Sequence, residues 1–286
     1  MAQYARAIKE FDRAARLHPL TEPFLFDRSM AKGGLGDWSG LLEDAKAATA
    51  LDPRADWPYY DRAMAASLHG DYAAALAILN QAAEDFPAAS APRLYRGVLL
   101  DVLGQRALAL ADYRQALKDR GGAVAWNVDQ AALAIWTIRA AAERAEAEGE
   151  LRRHFTGRKP DPKDNWYGRL AAFLLDPHSS EAELLRDAQS LDRARRPWHE
   201  ASACYYLGVR HRLSGDEPGA ADMLKRAAAT NVVSELQWYE SELRVRIASG
   251  KVPAPQQPGA GPWRDQLPKP AAAAPASPAV PPGRKS

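Results

Sequence analysis

"YYDRAMAASLHGDYAAALAILNQAAEDFP" runs from Tyr59 to Pro87 and decides how the rest of the chain is read. Alanine at nearly every turn, Gly70-Asp71-Tyr72 in the middle and a terminal proline describe two helices joined by a tight turn. None of these markers stands alone. Pro19, Pro53 and Pro87 follow one another at intervals of 34 residues, and so do Gly36, Gly70 and Gly104. Ala14, Ala48, Ala82 and Ala116 keep the same step. Three independent markers on one period establish an internal repeat.

The physical chemistry of each marker fits a stacked helix pair. Glycine tolerates the positive φ that ends the first helix, and proline after the second cannot continue it. Small residues such as Ser29, Ala63, Ala75 and Gly97 let helices approach closely. A pair cannot bury its apolar stripe alone, so neighbours must stack. A 34-residue step is the period of the tetratricopeptide repeat, and the chain resembles that family. The expectation is an all-α, right-handed helical solenoid. The same grammar returns in "CYYLGVRHRLSGDEPGAADMLKRAAATNV", from Cys204, with Leu207-Gly208, Gly215-Asp216, Ala220 and Ala227 in phase.

Between about residues 121 and 197 the pattern degenerates. "WNVDQAALAIWTIRAAAERA" reads as one amphipathic helix, "EGELRRHF" starts another, and "NWYGRLAAFLL" and "SSEAELLRDAQSL" form a further pair. A last helix, about Ser234 to Ala248, is expected to cover the exposed end of the stack. The division is therefore 1–120 for the repeats, the first partial, 121–250 for degenerate repeats, a final repeat and a capping helix, and 251–286 for a tail. That tail holds ten of the 21 prolines and reads as disordered. Its "PWRDQLPKP" island is an inert spacer, a recognition motif for another protein, or a segment that folds back into the groove.

Composition narrows the function. Residues 1–250 carry 33 basic and 35 acidic groups, so charge gives no support to nucleic-acid binding. Cys204 is the only cysteine, which excludes an internal disulfide or a Cys-rich zinc site. No apolar run is long enough to span a bilayer, and "AQYARAIKEF" lacks the apolar core of a secretory signal. The chain reads as cytoplasmic as written. It also opens in mid-repeat, since Tyr4 to Leu17 matches a second helix whose Ile8, Phe11 and Leu17 lack a covering partner. Either sequence upstream of Met1 would complete that repeat, or another surface covers this face.

The order of canonical-length repeats, "IWTIRAAAERA…AEGELRRHF", "WYGRLAAFLL" and "YYLGVRHRLSGD…LKRAAATNV" resembles the NlpI-type bacterial lipoproteins over about residues 60–248. The Ile135–Phe155 junction and the "ATNV" helix end carry that resemblance more specifically than the repeat markers. It implies a non-catalytic adaptor that docks proteases or peptidoglycan hydrolases, with homodimerisation an option. A periplasmic, outer-membrane-associated location would require an upstream lipoprotein signal. The alternative is a cytosolic scaffold or assembly chaperone.

In a tetratricopeptide superhelix the concave groove is lined by the first helix of each pair. That register gives Phe26 and Met30, then Trp57, Tyr60, Met64 and Ser67, then Ala91, Leu94, Val98 and Asp101, then Ser202, Tyr205, Val209 and Arg212. This aromatic and methionine surface suits a peptide or helix of another protein, although each aromatic is equally readable as packing against the next repeat. Tyr60→Ala with Tyr205→Ala is expected to weaken partner capture and leave helicity unchanged. Asp27, Asp61 and Asp101 beside the groove argue against a carboxylate clamp and favour a client with a basic residue. Alternatively, they pair with Arg28, Arg62 or Arg96 on the surface.

No nucleophile elbow, phosphate loop or dinucleotide fingerprint is present. "KGGLGD" around Gly34 follows no strand and is only the repeat turn. "HEASACYYLGVRH" invites a metal-dependent enzyme around His199 and His211, but His199 and Cys204 are five apart and splayed on a helix. The reading is a protein without cofactor or metal.

Overall fold

The computed structural model describes residues 2–118, 125–156, 165–190, 195–255 and 265–268. Among them are fourteen α-helices and no strand: α1 (Ala2–Ala15), α2 (Glu22–Gly34), α3 (Trp38–Leu51), α4 (Trp57–Leu68), α5 (Tyr72–Asp85), α6 (Ala91–Val102) and α7 (Arg106–Lys118). They continue with α8 (Ala125–Arg139), α9 (Arg144–Phe155), α10 (Trp166–Leu175), α11 (Glu181–Ser190), α12 (Arg196–Leu213), α13 (Glu217–Ala229) and α14 (Leu236–Ala248). The protein is all-α.

The period-marking glycines make the turns. Gly36, Gly70, Gly104 and Gly215 have φ between 76° and 87°. At Gly70 the chain closes a Schellman pair: the Gly70 amide donates to Ser67 O at 2.9 Å and the Asp71 amide to Ala66 O at 3.0 Å. The aspartate then caps the following helix. Asp37, Asp71 and Asp216 accept from the amides of Gly40, Ala74 and Gly219 at 2.9–3.0 Å. Three helix pairs thus share a turn whose chemistry is written in two adjacent residues, and at Gly104 the glycine is followed by Gln105 instead.

A second repeated device holds the two helices of a pair together. Arg28 on α2 grips Asp44 on α3 through Nε and Nη2, at 2.9 and 2.6 Å. Two periods later, Arg96 grips Asp112 in the same manner at 2.8 and 2.6 Å. These arginines pair across the helices rather than with the aspartates beside them in sequence. Arg62, the repeat between, faces the Tyr59 ring instead, at 5.8 Å.

Each helix packs on its sequence neighbours, and the even-numbered helices α2 to α12 also touch one another in series as an inner layer. The odd-numbered helices pack mainly on the helices next to them in sequence. One helix departs from this order: α14 returns to pack on α4, α6 and α12 as well as α13. The expected cap for an end of the stack is instead an interior helix, with Leu236, Gln237, Trp238, Tyr239, Glu240, Ser241 and Leu243 all buried. Burial on consecutive positions means contact on every side, which an end cap with a solvent face would not have.

Two further expectations change. The single helix read through Ala145 is broken after Arg139, and α9 starts at Arg144 rather than near Glu148. Arg139 turns back to ion-pair with Glu143 at 2.6 Å and with Glu150. At the other end, the start of the supposed tail is docked. Val252 is buried and the Tyr72 hydroxyl donates to Pro253 O at 2.6 Å. Farther on, the Asn80 amide donates to Gln266 O at 2.7 Å. The rest of the disorder expectation, residues 256–264 and 269–286, lies outside the described residues, as does Trp263 of the aromatic island.

Candidate functional site

The inner layer is where the sequence register places a groove, and α14 lies across it. The Ser67 and Tyr239 hydroxyls are 2.9 Å apart, Tyr205 donates to Glu240 at 2.8 Å, and Arg244 joins Asp101 at 2.6 Å and Glu240 at 2.8 Å. Burial pushes the Glu240 carboxyl up, with Arg244 the largest opposing influence.

The residues predicted in and beside the groove therefore divide, with Ser67 and Ser202 buried and Ala91 half-buried. Tyr60, Asp61, Met64, Leu94, Val98, Tyr205 and Val209 are buried, while Phe26, Met30, Trp57 and Asp101 are half-buried and Arg212 is exposed. Tyr60 stacks on Tyr95 at 5.0 Å, and Trp57 meets Phe26 edge-on and donates from Nε1 to Glu22. Tyr60 and Tyr205 are core side chains, so removing both would cost stability, contrary to the expectation of unchanged helicity.

Asp61 is also interior rather than a surface charge. The Ser29 hydroxyl lies 2.8 Å from both Phe26 O and Asp61 Oδ2. One hydroxyl proton cannot serve both acceptors fully, whereas a protonated Asp61 can donate to Ser29 while Ser29 donates to Phe26. Desolvation accordingly raises the Asp61 carboxyl to about 7.

Beside the N-terminal end of α14 the inner layer stays open as a cleft of about 490 Å³. Phe26, Leu94 and Tyr95 form one side, Gln130, Trp166 and Tyr167 another, and Trp198, His199 and Glu235 the rest. Its walls are held in place. Trp166 Nε1 donates to Ser202 Oγ at 2.7 Å, Trp198 Nε1 to Ser234 Oγ at 3.0 Å, and Gln130 Nε2 to the Tyr167 hydroxyl at 2.8 Å. His199 stacks on Trp166 at 4.7 Å. Desolvation pushes Glu235 up to about 8, against a smaller opposing influence of Gln130.

Of the residues in the groove register, Phe26, Ala91, Leu94 and Ser202 line this cleft, while Tyr95, Trp166, Trp198 and Glu235 were missed. The tryptophans had a legible signal: Trp57, Trp166 and Trp198 all lie within the first turn of an inner helix. Glu235 had none, because its position depends on the α13–α14 connection. There Asn231 takes φ 54°, the only positive φ outside glycine among the described residues.

A second opening of about 710 Å³ lies farther along α14, beside Glu240 and Arg244, between Asp101, Val209, Arg212 and the exposed Arg106. The metal reading finds no such assembly: no group of three His, Cys, Asp or Glu able to hold an ion occurs among the described residues. His211 contacts Asp216 at 2.7 Å and Glu181 at 3.4 Å, and Cys204 is a buried thiol raised by desolvation. No described helix is long and apolar enough to cross a membrane. Compared with protein-family models and with curated proteins, the chain matches none.

Proposed function

We propose that this protein is a non-catalytic adaptor, a right-handed solenoid of tetratricopeptide repeats that holds another protein by a peptide or helical segment. The observation that carries this reading is the pinned aromatic cleft in the inner layer beside α14. Tryptophan and tyrosine in a desolvated pocket are the residue types that dominate protein-binding energetics. A cleft of this volume takes one or two anchoring side chains rather than a whole helix. The inner layer already accommodates one helix, α14, which supports its suitability for helical segments. The four repeated glycine turns and the two matching Arg–Asp grips support the repeat assignment.

The Ile135–Phe155 junction and the "ATNV" ending support a place beside the NlpI-type envelope adaptors, which would make the client of this scaffold a protease or a peptidoglycan hydrolase. Random-peptide display on the purified protein tests the adaptor reading. Peptides are expected to be enriched on the parent and lost on Tyr167→Ala and Trp198→Ala variants of unchanged stability. No enrichment, or enrichment indifferent to both variants, overturns the cleft as the binding site.

A further inference from the structure

One buried carboxylate oxygen in the cleft has no partner among the described residues. Glu235 is 6% exposed and lines the cleft; Gln130 hydrogen-bonds its carboxyl, yet its Oε1 makes no hydrogen bond there. A buried acceptor left unsatisfied is costly, so a ligand that brings a donor gains by it. The surroundings specify which donor. Tyr95, Trp166, Tyr167 and Trp198 contribute ring surface that attracts a cation and shields an alkyl stem.

We infer that the cleft receives a lysine side chain presented by a partner segment, with its ammonium against Glu235 Oε1 and its stem among these four rings. The inference rests on the adaptor reading and adds the chemistry of the anchor. Arginine fits less well. A guanidinium brings five donors, whereas the Ser202 and Ser234 hydroxyls already accept from tryptophans and the Tyr167 hydroxyl accepts from Gln130. An ammonium is compact and needs three. Arg195, at the mouth, is exposed and engaged in an interaction of its own.

A proton accompanies the exchange. The ionisable groups around Glu235 are Tyr95 on α6, Tyr167 on α10, and Arg195, His199 and Tyr206 on or beside α12. With burial raising Glu235 to about 8, its carboxyl is mainly neutral at pH 7 in the free protein. Accepting an ammonium there releases that proton, so affinity rises with pH towards about 8.

The experiment is calorimetric titration of the full chain with three probes. They are an acetylated leucine peptide carrying one lysine, the same peptide with acetyl-lysine, and n-butylammonium. The lysine peptide is expected to bind on the order of tenfold tighter than its acetylated counterpart, with proton release that depends on buffer ionisation enthalpy. Glu235→Gln, which preserves shape and a neutral group, is expected to abolish both effects while keeping the melting temperature. Equal binding of the two peptides overturns the ammonium site and leaves the adaptor reading intact. Preference that survives in Glu235→Gln overturns the role of Glu235. Glu235-dependent binding of n-butylammonium with neither peptide bound sustains the counter-ion and overturns the partner-segment reading. Silence from all three probes overturns both.

Discussion

The Ser67 and Tyr239 hydroxyls, 172 residues apart in sequence, meet at 2.9 Å in the buried interior. Ser67 also donates to Met64 O at 2.9 Å, so its proton remains placed if the phenol is lost. Tyr239→Phe is therefore expected to cost only about 1 kcal/mol. Tyr239→Ala removes a buried ring that packs near Tyr95 at 5.9 Å and should cost roughly 3–5 kcal/mol. Urea unfolding of the two variants checks the ratio, and similar losses for both would show that the hydroxyl contact outweighs the ring.

Arg244 is the hinge of charge between α14 and α6. It neutralises Asp101 and Glu240 together, at 2.6 and 2.8 Å. Arg244→Met leaves those two carboxylates facing each other, with only the exposed Arg106 at 3.8 Å from Asp101. A loss of about 3–5 kcal/mol is expected. Without the guanidinium the Glu240 carboxyl loses its largest opposing influence and rises further, and a raised folded value means stability falls as pH increases. The variant should thus be worse at pH 8 than at pH 5, and a loss independent of pH would count against the pairing.

Asp61 makes a pH prediction of its own. Its ordinary value of 3.8 is raised to about 7 in the folded state. The folded chain then holds the proton more tightly than the unfolded one. This contribution is fully present below about pH 4 and is lost as pH rises through about 7. Asp61→Asn cannot ionise and can still donate to Ser29, so its Tm should exceed that of the parent at pH 8 and lose the advantage by pH 5. A parent that melts higher at pH 8 would mean the carboxylate is tolerated charged.

Gly97 tests the packing of one repeat. A Cβ there would stand 2.5 Å from the Tyr113 ring, itself fully buried. Gly97→Leu is expected to cost about 1–3 kcal/mol by overpacking, and Gly97→Ala part of that. An unchanged Tm in both would place α6 and α7 farther apart than described.

The turns were legible because their chemistry is local: a glycine that accepts positive φ, then an aspartate that caps three residues on. The break after Arg139 was not. "RAAAERAEAE" holds uniformly good helix formers, and the turn is set by Arg139 reaching Glu143 and Glu150. The destination of α14 was hidden for the same reason on a larger scale. Its partners Ser67, Asp101 and Leu68 O lie 143 to 178 residues earlier, beyond any periodicity. The groove register could not reveal which of its positions the chain itself would cover.

The return of α14 also changes how the molecule folds. In a stack held only by nearest-neighbour contacts, helix pairs can form and fray one after another. Here α14 ties α4 and α6 to α12, while the Tyr4 hydroxyl reaches Asn231 O at 2.9 Å. Early and late pairs therefore stand or fall together, and unfolding should follow a single sigmoid rather than successive steps. During synthesis α1 to α13 emerge before α14. A nascent chain must carry an unfilled apolar interior until the last helix arrives, which is when a chaperone would be needed most.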